Sequence, residues 1–152
     1  LNDSQKAAIA QRAAIGFMYF SLQTTLNNDP AAVSAKNYVW ILDIVIFTDN
    51  VPRSGTHLEA NELIVGFADQ NLNNLSPGML ASIILHDGYH QWAHDNGQQS
   101  WGVDAEIAAT QAQLSAASYT SLTQTEIQYL TDYMNNPAAI DARINTPCRI
   151  AP

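Results

Sequence analysis

Residues Ser76-Pro77-Gly78-Met79-Leu80-Ala81-Ser82-Ile83-Ile84-Leu85-His86-Asp87-Gly88-Tyr89-His90-Gln91-Trp92 decide how this chain is read. Ser76 carries the side-chain oxygen of a helix N-cap, and Pro77 has the fixed φ and missing N–H that suit the first helical position. Leu80, Ile83 and Ile84 then mark one buried stripe. A helix is expected to run to about Asp95, where Asn96-Gly97 supplies a left-handed stop. His86 and His90, four apart, leave this helix on one face with β-carbons about 6 Å apart, so both imidazoles can reach one cation. Imidazole suits zinc, and a hydrolytic zinc site takes three protein ligands plus a water. Asp87 lies beside the pair, where a carboxylate can accept the proton of a metal-bound water as general base. His94 continues the series, but a straight helix puts it about 12 Å from His86, too far to share the ion.

Working outward, Asp3 to about Leu26 reads as a helix. Asp3 or Ser4 could cap it, and Ala8, Ile9, Ala13, Phe17 and Phe20 recur near helical spacing. Asn27-Asn28-Asp29-Pro30 ends it, and a short helical turn follows from Pro30 to Lys36. Tyr38 to Phe47 is β-branched and aromatic and reads as a strand buried on both faces over much of its length. Thr48 to Gly55 is a loop, and Glu62 to Phe67 a second, shorter strand near a sheet edge. Beyond the His pair, helices are expected over about Asp104 to Ala117 and Thr123 to Asn135. An irregular tail with a turn at Ala138 to Ile144 completes the chain. No repeat or linker divides it. The expected class is α+β, with residues 1–152 forming one domain. A short mixed sheet packs on the helix of the His pair, the N-terminal segment covers the sheet, and the C-terminal half is helical.

Composition excludes several functions. The charged share is 13%, about half the usual proportion, yet the net charge is −8. The six Lys and Arg (Lys6, Arg12, Lys36, Arg53, Arg143 and Arg149) are scattered. With no basic stripe to neutralise phosphates, neither nucleic acid nor an anionic membrane surface is an expected partner. The single Cys148 has no internal disulfide partner and cannot build a Cys-based zinc ribbon. The longest apolar run, interrupted by Asp43, is too short to span a bilayer. A start without Met suggests a mature secreted domain or the released end of a larger protein. Asp49-Asn50 and Asp69 to Asn74 lack the spacing of a calcium loop. Trp92 and Trp101 are expected to pack the helix against its neighbours.

The stretch around the His pair resembles the active-site helix of zincin metallopeptidases, whose motif is HExxH; here it is HDxxH. The likeness extends beyond those five residues. Glu62 to Phe67, a polar loop, Ser76-Pro77 and then Leu80 to Leu85 follow the zincin order of strand, loop and active-site helix. In that family the strand usually lies at the sheet edge and lines the substrate cleft. The long metzincin pattern requires Gly and His at the positions held here by Ala93 and Asn96, so that branch does not fit. Glu106-Ile107-Ala108-Ala109 is instead similar to the second helix of gluzincins, where a ligand Glu is followed three positions later by a small residue that lets the helices approach.

The resemblance implies His86, His90 and Glu106 as metal ligands, with Asp104 competing for the third place. It implies Zn2+ as cofactor and a hydrolase acting on a peptide or protein substrate. It also implies an oxyanion-stabilising Tyr or His outside the helix, for which His57, Tyr119, Tyr129 and Tyr133 are available. The family's base is Glu. Asp87 is one methylene shorter, about 1.5 Å, and misplacement on that scale can cost roughly a hundredfold in rate. Two alternatives follow: an impaired relative that keeps the metal as a binding or effector domain, and a non-metal structural domain in which the His residues pack. Leu85-His86-Asp87 also resembles the His-Asp pair of secreted phospholipases A2, but those enzymes are dense in disulfides.

Overall fold

The computed structural model describes residues 1–51, 53–67 and 69–145; Cys148 and the final prolines lie outside these residues. The helices are α1 (Asp3–Leu26), α2 (Pro30–Trp40), α3 (Pro77–Asp95), α4 (Val103–Ser115), α5 (Ala117–Thr120), α6 (Gln124–Met134) and α7 (Pro137–Ile144). The strands are β1 (Ile44–Thr48), β2 (Gly55–His57) and β3 (Glu62–Gly66). The class is therefore α+β, mostly helical, with a small mixed sheet in the order β1-β3-β2. β1 runs parallel to β3 and β2 antiparallel to it.

Local chemistry sets the helix starts. Asn2 caps α1 in place of Asp3 or Ser4, accepting the Gln5 N–H at 2.8 Å while the Gln5 side chain accepts the Asn2 N–H. Three further helices share one device, a polar cap followed by proline at the first helical position: Asp29-Pro30, Ser76-Pro77 and Asn136-Pro137. At the far end of α3, Gly97 takes φ 68°, and the Gln98 N–H closes on the Ala93 carbonyl at 2.8 Å.

Four expectations change. Tyr38, Val39 and Trp40 form the last turn of α2, and the strand begins only at Ile44. Asp29 and Pro30 start a helix that buries Ala32, Ala35 and Val39, and this packing overrides the β preference of the aromatic residues. β1 is not buried on both faces, since Ile44 is 53% and Ile46 38% exposed. The segment from Glu62 is the middle strand rather than an edge, because β2, which starts at the last residue of the expected loop, pairs along its other side. The tail after Asn136 forms α7.

α3 is the centre of the molecule. α1, α2, α4 and α5 pack around it, and β2 and β3 lie against it. Twelve of its nineteen residues are buried, so it is a core helix with no free polar face. Leu85 is completely enclosed, and burial of a side chain this size contributes about 1.5–3 kcal/mol. Two glycines on α3 set how closely its neighbours come. A β-carbon on Gly88 would stand 2.0 Å from the Tyr38 carbonyl oxygen of α2, and one on Gly78 2.0 Å from the Thr120 carbonyl oxygen of α5. Gly88, between the two histidines, is thus the point where α2 fixes the height of the site helix.

Candidate metal centre

His86 and His90 project from successive turns of α3 toward Glu106, which opens α4 after Gly102 turns the chain at φ 98°. Glu106 Oε2 lies 3.1 Å from His86 Nε2, and Oε1 lies 3.2 Å from His90 Nε2. The two Nε2 atoms are 3.3 Å apart. One ligand atom from each residue fits within 4.8 Å of the others, so His86, His90 and Glu106 can together hold a metal ion. Asp104, the competing third ligand, is exposed and outside this group. Ala109, about one turn beyond Glu106, is fully buried, and α4 packs against α3. His94 pairs with Glu59 at 3.7 Å and takes no part in the cluster.

The donor set fits a cation because of where the ring protons must sit. Gln113 Nε2 donates to Ser82 Oγ at 2.9 Å, which turns the Gln113 carbonyl oxygen toward His86 Nδ1 at 2.8 Å. His90 Nδ1 faces the Ser100 carbonyl at 2.9 Å. Both partners are acceptors, so both Nδ1 atoms donate, and the neutral rings turn their Nε2 lone pairs inward. Two lone pairs and a carboxylate then converge with nothing positive among them. Without a metal, a proton takes that place: burial acts against the charged His86, but the charge and hydrogen bond of Glu106 prevail and raise its pKa to about 9. Burial likewise pushes the Glu106 carboxyl up, and the two histidines more than reverse this, leaving it far below the usual carboxylate range.

Asp87 borders the cluster. It is buried and lines two cavities, a tighter one of about 50 Å³ shared with His86 and Glu106 and a second of about 90 Å³ shared with His90 and Glu106. Burial raises its pKa, with Glu106 adding to the effect and both histidines opposing it, so Asp87 is a better proton acceptor than an exposed aspartate. Thr56 of β2 donates to the Asp87 backbone carbonyl at 3.2 Å, tying the edge strand to the site helix.

Among the oxyanion candidates, Tyr133 reaches the centre, donating to Glu106 Oε2 at 3.2 Å. Burial and the Glu106 charge raise its pKa, so it stays protonated. Tyr129 lines the tighter cavity, whereas Tyr119 bonds Asp29 and His57 lies by Glu62. Trp92 packs edge-on against Tyr38 as expected. Trp101 does not pack: it is 62% exposed and lines the second cavity.

Sequence reasoning also missed Gln113 and the Ser100 carbonyl. Gln113 follows Glu106 by seven residues, two turns along the same helix face, which is a legible signal; a loop carbonyl gives none.

The wall of the tighter cavity is anchored by a partly buried ion pair. Arg143 of α7 donates from Nη1 and Nη2 to the two carboxylate oxygens of Asp69 at 2.9 and 2.8 Å, and the Ser54 N–H reaches Asp69 Oδ2 at 2.7 Å. Burial pushes the Asp69 carboxyl up, but Arg143 and Ser54 outweigh it and hold it below the usual range. A carboxyl depressed by folding contributes its full stability above the unfolded pKa, near 3.9, and loses it as the pH falls through the folded value. Asp69→Asn is expected to cost about 2 kcal/mol at neutral pH, where the partly buried Arg143 is left without its charged partner. In urea melts the gap to the unmodified protein should begin to narrow below about pH 4 and close as the pH falls through the depressed folded value. A gap independent of pH would place the cost in packing rather than charge.

No helix of the described residues is long and apolar enough to cross a membrane. No family model, curated protein or solved structure gives a significant match to this chain, so the His86–His90–Glu106 geometry is what any assignment has to stand on.

Proposed function

We propose that this chain is a zinc-dependent hydrolase of zincin type, cleaving peptide bonds with Asp87 as general base. One observation carries the reading: two imidazole lone pairs and a carboxylate converge on one point, and a second buried carboxylate borders the same cavities. Three N/O ligands suit zinc and leave a position open for chemistry. Zinc bound there supplies a Lewis acid and lowers the pKa of a water for attack on a carbonyl.

The chain's own residues do the rest. Gln113 and Ser100 hold the two rings in the required tautomer. Asp87 takes the proton from the attacking water and delivers it to the leaving amine, and its raised affinity for a proton suits both halves of that task. The Tyr133 hydroxyl donates to Glu106 and lines the tighter cavity, which supports it as the group that steadies Glu106 and donates to a developing oxyanion. β2, the edge strand beside α3, offers backbone groups to an extended substrate.

The test is digestion of a mixed peptide library by protein loaded with one equivalent of zinc. Cleavage is expected, abolished by chelator, restored by zinc and absent from Glu106→Gln. Full activity in the presence of chelator would overturn the reading.

A further inference from the structure

Helix α1 carries apolar side chains on two faces. Ile9, Ala13 and Phe20 are buried in the core with Leu80, Ala81 and Ile84 of α3. The other face holds Ile15, Met18, Tyr19, Leu22 and Leu26, which are between 41% and 69% exposed. With 3.6 residues per turn, these five fall on one stripe about 100° wide, turned away from the buried face. Single exposed apolar residues are ordinary, but five in register form a patch of about 500 Å², at the upper end of what monomers expose. An apolar stripe of that width normally faces something.

The charge pattern narrows what it faces. From Ala13 to Asn28 there is no Asp, Glu, Lys, Arg or His, in a molecule of net charge −8. The stripe gives an anionic lipid surface no basic residue to hold, and it gives a partner selected by charge nothing to read. Beside it a cavity of about 270 Å³ opens between α1, the start of α3 and the turn joining α5 to α6, lined by Ile15, Gly16 and Tyr19 with Pro77, Gly78 and Thr120. Glu126 also lines it, but its carboxylate is already bonded to the Ser76 hydroxyl and the Thr123 N–H. Leu26 protrudes from the stripe about 16 Å beyond Ile15. Two copies of α1 lying antiparallel bring Leu26 of each to the cavity beside Ile15 of the other. Knob and hole lie on one face of one molecule, as a two-fold pair requires.

We propose that this chain pairs with a second copy of itself through the exposed stripe of α1, each copy seating Leu26 in the cavity beside Ile15 of the other. The inference is independent of the peptidase reading, since no residue of α1 lines either cavity at the metal centre. The pair buries roughly 1,000 Å² in total, the lower limit for a specific interface, so it should be half-formed at about 10–100 μM.

Sedimentation equilibrium of the full chain from about 1 μM to 1 mM tests it. A monomer–dimer equilibrium in that range is expected. Leu22→Lys should weaken it at least about a hundredfold, because pairing would bury an unpaired charge. Ala138→Lys, on an exposed position of α7, adds the same charge elsewhere and should pair like the unmodified protein. Circular dichroism and melting of dilute samples check that both variants fold. Raising the salt from about 0.05 to 0.5 M screens the repulsion between two acidic copies and should strengthen pairing. A chain monomeric throughout overturns the inference, as does a dimer that survives Leu22→Lys or weakens with salt. A monomer that cosediments with phosphatidylcholine vesicles gives the stripe to a lipid surface and overturns it too.

Discussion

Protein purified without chelator and without added metal is expected to carry about one equivalent of zinc per chain, and His90→Ala is expected to carry none. Each ligand supplies one of three converging atoms, and removing one imidazole leaves two donors and an open flank. The loss should be large because the rest of the site is built for the third ligand: His86 stays locked by Gln113, and Glu106 stays buried without its second partner. Asp104→Asn and His94→Ala are the controls, since Asp104 is exposed and His94 pairs with Glu59; both should keep the metal. Elemental analysis of the four proteins decides the matter. Zinc retained by His90→Ala, or absent from every sample even after zinc is supplied, would return the histidines to the role of packed core residues.

Asp87→Asn is expected to keep the metal and lose at least about a hundredfold in kcat, the usual range for removing a general base being 10²–10⁴. The amide has nearly the shape of the carboxylate but cannot take a proton, so a parallel loss of zinc would mean that the substitution had disturbed the helix instead. Asp87→Glu separates the two enzymatic readings. It restores the longer side chain of the HExxH motif, and turnover at or above that of the unmodified protein is expected if the site is catalytic. Stoichiometric zinc with no turnover in either form would favour the impaired relative, a metal-containing binding or effector domain.

How much of this was legible in the sequence depended on whether the signal was local. α3 was readable at both ends because Ser76-Pro77 and Asn96-Gly97 act through atoms a few residues away. Glu106 was singled out by its likeness to a second-helix ligand, and it, rather than the exposed Asp104, stands in the group that could hold a metal ion. The tail shows a local signal passed over: Asn136-Pro137 repeats the arrangement that starts α3, and a helix follows it. Other features had no local signal. Gly55-Thr56-His57 is a strand only because β3 lies alongside it. Tyr38 to Trp40 has strand composition, yet it continues a helix that packs beneath Gly88. The Asp69–Arg143 pair joins residues 74 apart, and nothing in either segment announces the other.

The three donors of the centre sit on two helices that are held by their own packing: Ser76 caps α3, Leu80 and Leu85 are buried along it, and Ala105, Ala109 and Thr110 are buried along α4. Emptying the site therefore should leave a folded molecule ready to be refilled, unlike small domains that collapse when stripped of zinc. On the reading proposed above, such a protein would be made and stored inert, with the local supply of metal acting as its on-switch.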